Sequence, residues 1–433
     1  MPEFKNIVVA QSGGPSPVIN ASLQGVIEAC QDSPDTFGKV YGGWHGIEGV
    51  LKEELIDLTA EYPKEIKLLK TTPAAGAIGT CRYKLKPEQK KDFERVVEVL
   101  RAHEVGYFFY NGGNDSMDTA HKVAALAGEK GLDLVATGVP KTIDNDVGGG
   151  LSKNGETFEV IDHTPGYGSC ARYWAWKVAQ ANQENMGSSP SDPVLVMQAM
   201  GRKIGFIPAA ARLSDPKREL PLLIVLVESG ISLDELHQQV NDTLSEHGRA
   251  IVVVSEGLDV GNKDFIQDSF AHAQYSTGTP AAEVVTKYLN EKGICVPGSA
   301  RFNVPGTDQR DDHTYLSSVD VEEAYEVGRY AVQIAADSGS GFMSTIERVP
   351  GGDYKVNYSA VPLDQVANSE RTFPDEWVSE SRVDVTDDFL RYAQPLIGAD
   401  PCPVPSENGL PRLARLKRVF VEKQLGHYVP EAY

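Results

Sequence analysis

The chain has 433 residues, of which 41% are hydrophobic, and this length suits two α/β lobes with additional segments rather than one simple core. A formal net charge of −20 argues against nucleic acid and acidic membranes as main partners, because both bind basic surfaces. No leader precedes the first strand, no apolar run approaches a membrane span, and the cysteines form no C-x-x-C pair, so we expect a cytoplasmic protein.

The first predicted unit is a strand, a glycine turn and a helix near the amino terminus. Residues 6–10 form a short apolar run, Gly13 and Gly14 follow it, and a helical pattern covers residues 18–30. Paired glycines let backbone N–H groups approach an anion, which the N-terminus of a helix also favours. The pattern therefore predicts a phosphate cradle, although a plain Gly-Gly turn would have the same sequence.

A second Gly-rich stretch leads into several cations. Residues 71–82 are mostly small and end at Arg82, and Lys84 and Lys86 follow. A loop with backbone donors and three positive charges could wrap a polyphosphate. A flexible surface loop would have the same composition, so both interpretations stay open for this stretch alone.

Another strand, glycine and helix unit comes next. Residues 105–110 form an aromatic-rich strand, Gly-Gly-Asn-Asp-Ser follows, and a helix is predicted over residues 117–127 with Ser116 or Asp115 as its cap. We expect this unit to face the same sheet edge as the first. The carboxylate of Asp115 lies where phosphate would otherwise be welcome, which suggests that it excludes a competing ligand.

The stretch with the highest density of candidate catalytic side chains is Pro-Lys-Thr-Ile-Asp-Asn-Asp, at residues 140–146. It follows residues 132–139, an apolar run that predicts a buried strand. Lys141, Asp144 and Asp146 should therefore project from the carboxyl end of a parallel sheet, where open α/β sheets bind their ligands. A lysine beside two aspartates suits a site for phosphate, a sugar hydroxyl and a divalent cation. The alternative is a solvated turn in which Asp and Asn make local backbone bonds.

The remainder alternates predicted helices and strands. Helical patterns cover residues 157–186, 232–247, 279–292 and 319–336, strand patterns cover 193–200, 220–227 and 250–254, and a hairpin is predicted at 341–358. The aromatic residues of the first of these helices, Tyr173, Trp174 and Trp176, are predicted to lie in the core. From Pro374 onward the sequence is irregular and Pro-rich, which indicates an extension packed on the lobes or on a partner subunit.

Several of these motifs follow one another in the order found in the 6-phosphofructokinase family, which this chain resembles over residues 5–335. They are Gly13-Gly14, residues 79–82, Gly112 to Ser116, Pro140 to Asp146, Met200-Gly201-Arg202, Glu256-Gly257 and residues 301–310. The combination of Pro-Lys-Thr-Ile-Asp-Asn-Asp with Met-Gly-Arg is very specific for this family, whereas each of the other motifs is weak evidence on its own.

The resemblance implies an α/β fold of two Rossmann-like lobes with mainly parallel sheets, the site in the cleft between them, and a C-terminal extension. We therefore predict a phosphoryl-donor lobe at residues 1–143 and a sugar-phosphate lobe at residues 144–310. Residues 311–433 are predicted to form a helix, a hairpin and an extension that pack back on the lobes.

The resemblance also implies an activity, the transfer of a phosphoryl group to the 1-hydroxyl of fructose 6-phosphate with Mg²⁺ as cofactor. ATP-dependent members usually have glycine at the positions of Asp115 and Lys141. In this chain a carboxylate would oppose the α-phosphate of ATP, while an ammonium would hold the shorter pyrophosphate. The chain thus resembles the pyrophosphate-dependent branch, whose reversible reaction yields fructose 1,6-bisphosphate and phosphate.

Site residues carry over from the family by position. Asp144 matches the general base, and Lys141, Asp115 and Asp146 complete the catalytic group. The donor is assigned to Gly14, Arg82, Gly113, Asn114, Asp115, Ser116 and Lys141. The sugar phosphate is assigned to Thr142, Asp144, Met200, Gly201, Arg202, Glu256, Arg301, Thr307 and Arg310. The metal is assigned to Asn114 and Asp146.

Three departures from the family pattern keep alternatives open. Asn114 stands where an aspartate is usual, Pro15 follows the first glycine pair instead of aspartate, and Asp192 and Pro193 lie where bacterial ATP-dependent members have an arginine. An ATP-dependent phosphofructokinase and a catalytically silent regulatory subunit remain possible readings. A dinucleotide-binding module is disfavoured, because no GxGxxG with a downstream acidic residue is present. The resemblance implies a homo-oligomer, with a dimer favoured over a tetramer, and leaves sedoheptulose 7-phosphate open as a substrate.

Overall fold

The computed structural model describes residues 2–86, 88–151, 157–261, 266–267, 273–274, 278–367 and 369–431. The chain forms two compact units. The first comprises Met1–Gly166, Asp320–Arg371 and Cys402–Tyr433, and the second comprises Tyr167–Val319 and Thr372–Pro401. Residues 144–166, which we predicted in the second lobe, therefore belong to the first unit, and the segment predicted to begin at residue 311 is divided between both units.

The elements up to Gly166 build most of the first unit. They are β1 (Asn6–Gln11), α1 (Ile19–Gln31), β2 (Val40–Gly43), α2 (Ile47–Leu51), β3 (Leu55–Asp57), α3 (Pro63–Leu68), α4 (Lys90–Ala102), β4 (Val105–Gly112), α5 (Asn114–Glu129), β5 (Val135–Pro140), β6 (Gly149–Leu151) and β7 (Thr157–Glu159). The apolar runs of this unit that we predicted as strands, at residues 6–10, 105–110 and 132–139, correspond to β1, β4 and β5. One cap prediction was wrong, because α5 already begins at Asn114 with Gly113 as its N-cap, which puts Asp115 and Ser116 inside the first turn.

The second unit is made mainly from the middle of the chain. Its elements are α6 (Tyr167–Ser188), β8 (Val194–Ala199), α7 (Phe206–Ala209), β9 (Leu222–Val225), α8 (Leu233–His247), β10 (Ala250–Ser255), β11 (Ile266–Gln267), β12 (Ala273–Gln274), α9 (Ala281–Lys292), β13 (Ala300–Asn303) and α10 (Asp308–Asp311). Helix α6 begins ten residues later than predicted, because residues 157–159 form β7 and Gly166, at φ 110°, stops a helix upstream. Trp174 is buried as expected, but Trp176 is 46% exposed.

The last elements are α11 (Ser318–Asp337), β14 (Phe342–Arg348), β15 (Val356–Pro362), α12 (Leu363–Val366), α13 (Asp387–Ala393), β16 (Ser406–Glu407) and β17 (Leu410–Pro411). The predicted hairpin is confirmed, since β14 and β15 pair in antiparallel fashion. Of the C-terminal residues predicted to be irregular, those up to Pro401 include α13 and belong to the second unit, whereas Cys402–Tyr433 belong to the first.

Each unit contains a mainly parallel sheet, so the predicted fold class is confirmed. Within the described residues, the first sheet has the order β15-β14-β5-β4-β1-β2-β3, and the second has the order β13-β8-β10-β9. In the first sheet β1, β2, β4, β5 and β14 run parallel, and the antiparallel pairs lie at the two sides. The second sheet is parallel throughout. Parallel strands covered on both faces are continuously apolar, which explains the buried runs in the sequence.

The core of the first unit lies on both faces of its sheet. Val8 and Phe108 belong to the hydrophobic cluster on one face, and Ile7 and Phe109 belong to the cluster on the other. This alternation follows from the two-residue period of side chains along a strand. Among the residues that the structure describes, no helix combines the length and the apolar composition needed to cross a bilayer.

A buried ionic network connects α11 to the segment that follows β7. The ring of His163 is 1% exposed, and its Nδ1 and Nε2 lie 2.8 Å from Asp162 and 2.7 Å from Glu323. Arg348 donates to Asp162 at 2.9 Å, and the Tyr354 hydroxyl donates to Glu323 at 2.7 Å. Burial by itself lowers the pKa of His163, but the carboxylates of Glu323 and Asp162 raise it to about 9.

We expect this network to make stability depend on alkaline pH. A histidine whose pKa is raised from 6.5 to about 9 contributes stability that is complete below about pH 6.5 and is lost as the pH rises through about 9. Urea unfolding between about pH 6 and about pH 9.5 should therefore show falling stability for the wild type. His163→Gln should flatten the profile, and His121→Gln, at an exposed position, should retain it. A flat wild-type profile would contradict the assignment.

Candidate active site

The polar segments of the first unit converge because three parallel strands end together. In the sheet register, Gln11 of β1 pairs with Asn111 of β4, and Gly112 of β4 pairs with Pro140 of β5. The residues that follow these strands are therefore neighbours at one edge. The glycine turn after β1, the start of α5 and the Lys141 loop meet there, as the sequence predicted.

Lys141 occupies the centre of this edge. Its side chain is 3% exposed, its Nζ donates to the Gly14 carbonyl at 2.6 Å, and its backbone N–H donates to the Gly112 carbonyl at 3.0 Å. Gly13 has φ 80°, and a Cβ added there would lie 3.4 Å from the Lys141 ammonium. The ammonium is thus held directly beside the glycine turn, where an anion would lie.

Asp115 forms an ion pair that sequence reasoning did not anticipate. Its Oδ1 lies 2.5 Å from the Lys84 Nζ, and both side chains are 25% exposed. Lys84 belongs to the cationic stretch after the Gly-rich loop, but no local pattern connects it with α5. The carboxylate in the first turn of α5 is therefore neutralised by a neighbouring lysine.

The Gly-rich stretch that ends at Arg82 is hydrogen-bonded to the glycine turn. The Gly13 N–H donates to the Cys81 carbonyl at 2.9 Å, and the Thr80 hydroxyl donates to the Gly13 carbonyl at 2.9 Å. Arg82, which is half-buried, comes directly after these hydrogen bonds.

Ser116 is 3% exposed and packs back on Gly112, since a Cβ added to Gly112 would lie 2.0 Å from the Ser116 Oγ.

The loop that carries Asp144 and Asp146 is shaped by local hydrogen bonds. The Thr142 hydroxyl accepts from the Asp144 N–H at 3.1 Å. Asn114 donates to the Asp146 carbonyl at 3.0 Å and accepts from the Gly148 N–H at 3.2 Å. The Asn114 amide is thereby directed to the loop backbone. Among the described residues, no group of three or more His, Cys, Asp or Glu side chains is arranged to hold a metal ion.

In the second unit, two more loops meet at the carboxyl ends of β8 and β10. Ser255 pairs with Ala199 in the register, and the Glu256 N–H donates to the Ala199 carbonyl at 2.8 Å. Met200, Gly201 and Arg202 follow β8, so they lie beside Glu256. A Cβ added to Gly257 would lie 1.7 Å from the Arg202 carbonyl oxygen, which explains why glycine is required there.

Gln309 attaches the residues around Thr307 and Arg310 to this edge, and no sequence pattern indicated its role. It is 2% exposed, and its Oε1 accepts from the Met200 N–H at 3.0 Å and from the Trp174 indole at 2.8 Å. Its Nε2 donates to the Gly306 carbonyl at 2.9 Å. A buried glutamine that accepts from two groups more than 100 residues away in sequence has no periodic signature.

Arg301 is separated from the other predicted sugar-phosphate residues. It pairs in register with Leu195, near the amino end of β8, whereas Met200 follows the carboxyl end. Its guanidinium binds Glu184 at 2.7 Å and Asp192 at 3.3 Å. Arg301 belongs to β13, which pairs with β8, whereas Arg310 lies in α10, so the two arginines are carried by different elements.

Comparisons with known proteins agree with the resemblance. The phosphofructokinase family model matches residues 6–335. A pyrophosphate--fructose 6-phosphate 1-phosphotransferase of Halomonas elongata is 37% identical over 433 residues, which cover 98% of this chain and 99% of that protein. The enzyme of the same name from Methylococcus capsulatus is 38% identical over 431 residues, which cover 97% and 98% of the two chains.

Solved structures give the same result. A pyrophosphate-dependent phosphofructokinase from Marinobacter aquaeolei superimposes with a TM-score of 0.85 at 36% identity and covers 98% of this chain and 100% of that one. The corresponding protein from Nitrosospira multiformis superimposes with a TM-score of 0.87, at the same identity and coverage.

The role of Gln309 can be tested by unfolding. Gln309→Leu leaves the buried Trp174 N–H and the partly buried Met200 N–H without their acceptor, and the loss of a buried partner costs about 1 to 3 kcal/mol. The free energy of unfolding should fall by roughly that amount or more, as measured in urea. Gln238→Leu, which breaks an exposed pair with Asp242, should change it little. Equal effects of the two variants would contradict the assignment.

Proposed function

This chain belongs to the phosphofructokinase family, and we propose that it reversibly transfers a phosphoryl group from pyrophosphate to the 1-hydroxyl of fructose 6-phosphate. The products are fructose 1,6-bisphosphate and phosphate. The observation that carries the proposal is the buried ammonium of Lys141 beside the glycine turn, at a position suited to a short anionic donor. Two relatives with 37% and 38% identity over nearly the whole chain have the name of this activity.

The proposed mechanism combines a base with neutralisation of charge. Asp144 takes the proton from the sugar 1-hydroxyl as that oxygen attacks phosphorus. Lys141, Arg82 and the backbone N–H groups at Gly14 and Gly113 stabilise the negative charge on the transferring group. In the reverse direction Asp144 returns the proton to the same oxygen, so one set of residues serves both directions.

We propose Mg²⁺ as the cofactor, with Asp146 as the protein ligand. Mg²⁺ usually binds one or two carboxylates together with substrate phosphates and water, so a dedicated cage of protein ligands is unnecessary. The Asn114 amide fits this role less well, because both of its polar atoms bond the backbone between Asp146 and Gly148. When bound, the ion neutralises phosphate charge, and Asn114 acts by shaping the loop that presents Asp146.

Residues at the carboxyl edge of the second sheet are proposed to bind the sugar phosphate. The second-unit set is Met200, Gly201, Arg202, Glu256, Thr307 and Arg310. Glu256 accepts hydrogen bonds from sugar hydroxyls, and the guanidinium groups of Arg202 and Arg310 bind the 6-phosphate. Arg301 remains in the proposal from the family pattern, although its ion pairs with Glu184 and Asp192 would first have to open.

The proposed donor follows from the size and charge of two positions. The side chain of Asp115 adds bulk and a carboxylate where the α-phosphate of ATP would pass, and Lys141 suits pyrophosphate. The ion pair with Lys84 reduces the repulsion but fixes the position of both side chains. For the whole molecule we propose a cytoplasmic homodimer, with a tetramer as the alternative.

The proposed base is tested by Asp144→Asn. Because a general base acts mainly in the transition state, kcat should fall by about 10² to 10⁴-fold with little change in KM for either substrate. Asp133→Asn, at an exposed aspartate of the same unit, should leave kcat unchanged. Near-normal turnover of the Asp144 variant would remove this residue from the role.

The donor is tested by steady-state kinetics with pyrophosphate and ATP in turn. The wild type should use pyrophosphate well and ATP poorly. Asp115→Gly should improve ATP use, whereas Lys141→Gly should cost pyrophosphate activity heavily and leave ATP poor, because Asp115 remains. The two effects should not add in the double variant, since both residues share one anion site.

The control for the donor series is Asp118→Asn, which breaks the pair with Lys122 on the same helix. It should not change the preference between donors. The proposal fails if the wild type already turns over ATP as well as pyrophosphate.

A further inference from the structure

Arg371 is a buried arginine beyond the part of the chain that the family model matches. The match ends at residue 335, and Arg371 is the last residue of the middle segment of the first unit. It is 4% exposed, although arginine is rarely buried without a full set of partners. Its position in the sequence predicts no function.

The guanidinium of Arg371 joins three separate parts of the first unit. Nε and Nη2 each donate to a different oxygen of Glu159 at 3.0 Å, a bidentate geometry. Nη1 donates to the Asp162 carbonyl at 2.7 Å and lies 3.4 Å from the Asn145 Oδ1. The Arg371 N–H donates to the Asp146 carbonyl at 2.9 Å. One residue therefore contacts both residues that follow Asp144.

The loop at Asn145 is supported by contacts from residues outside it. Asn145 has φ 61°, a left-handed conformation that residues other than glycine adopt seldom, and its side chain is fully buried. Its Oδ1 also accepts from the Thr164 N–H at 2.8 Å. The conformation that presents Asp144 thus depends on contacts outside the loop.

The hairpin after the loop is fitted closely to the same arginine. A Cβ added to Gly149 would lie 2.6 Å from the Arg371 Cγ, and a Cβ added to Gly150 would lie 2.9 Å from the Glu370 carbonyl. Glycine in β6 allows the chain to lie against Arg371. The loop is consequently held on one side by Asn114 and on the other by Arg371.

We propose that Arg371 is a positioning residue for the phosphoryl transfer. It fixes the backbone at Asn145 and Asp146, and through it the position of the Asp144 carboxylate relative to the sugar hydroxyl. The inference rests on the proposed function, since it needs Asp144 to be the base of that reaction. Because misplacement of a reacting group by about 1 Å can cost on the order of 100-fold in rate, loss of Arg371 should act on kcat.

The test uses Arg371→Ala, Arg371→Lys and Glu159→Gln in the full chain, with Arg329→Ala as the control. Arg329 belongs to the same unit and pairs with Asp32 at 2.9 Å, away from the loop. With pyrophosphate and fructose 6-phosphate, Arg371→Ala should lower kcat on the order of 100-fold and change both KM values little. The Lys and Gln variants should show smaller losses, and Arg329→Ala should show none.

Two readouts separate positioning from a general structural role. Added guanidinium ion should restore part of the turnover of Arg371→Ala, because it can occupy the space left by the side chain. Amide hydrogen exchange in the peptide over residues 142–150 should be roughly ten-fold faster in Arg371→Ala than in the control. If Arg371→Ala is poorly folded, the Lys and Glu159→Gln variants give the same kinetic comparison.

The inference is overturned if all three variants keep the wild-type kcat. It is equally overturned if kcat falls only in proportion to the folded fraction, with no guanidinium rescue and no change in exchange over residues 142–150. A wild type without pyrophosphate-dependent turnover would instead refute the proposed function. The exchange measurement would then still decide whether Arg371 holds this loop.

Discussion

The arrangement of the first unit around its site depends on one constraint, which is that the buried ammonium of Lys141 must have a hydrogen-bond partner. Lys141 is 3% exposed, and a cation at that depth is costly unless it is hydrogen-bonded. The Gly14 carbonyl at 2.6 Å supplies one partner, so the turn after β1 has to reach the residue after β5. The parallel register of β1, β4 and β5 makes this possible, and the left-handed Gly13 leaves room for the ammonium. Sheet topology, glycine content and site chemistry are thus linked by one hydrogen bond.

The C-terminal residues stabilise the same unit through carboxylates that accept backbone N–H groups. The acceptors are Glu53, Glu61, Glu65 and Asp92, and the donors include residues 415, 417, 418, 424, 425 and 431. Burial alone raises the pKa of Glu53 and Glu65, but these bonds lower it below the usual range. The stabilisation that Glu53 and Glu65 contribute is present at neutral pH and is lost as the pH falls through their lowered pKa values. Arg418 in the same segment donates to the Gly76 carbonyl at 2.6 Å, in the stretch that leads to Arg82.

Local patterns predicted most strands of the two larger sheets and most of the helices, because each of these depends on neighbouring residues. The convergence of the glycine turns followed from the parallel arrangement expected of those strands. The pairing of Lys84 with Asp115 joins positions 31 residues apart, and that of Arg371 with Asn145 joins positions 226 apart. Nothing in residue type or period encodes such separations, since the folded backbone decides which side chains meet. Arg301 shows the converse, since it is close in sequence to Thr307 and Arg310 but lies beside the amino end of β8. A strand advances about 3.3 Å per residue, so a few strand residues suffice to separate them.

The overall charge of the chain has a consequence for how an anionic donor binds. A formal net charge of −20 disfavours the approach of pyrophosphate at long range. Lys84 is paired with Asp115, and Lys141 is buried and bonded to the Gly14 carbonyl, so neither ammonium adds an unpaired positive charge at the surface. Affinity must then come from short-range contacts, namely the ammonium of Lys141, Arg82 and the N–H groups at the start of α5. Long-range repulsion is screened beyond about 8 Å at physiological ionic strength, whereas these desolvated contacts are screened much less. The chain can therefore be strongly acidic overall and still bind a small polyanion, because the two effects act over different distances.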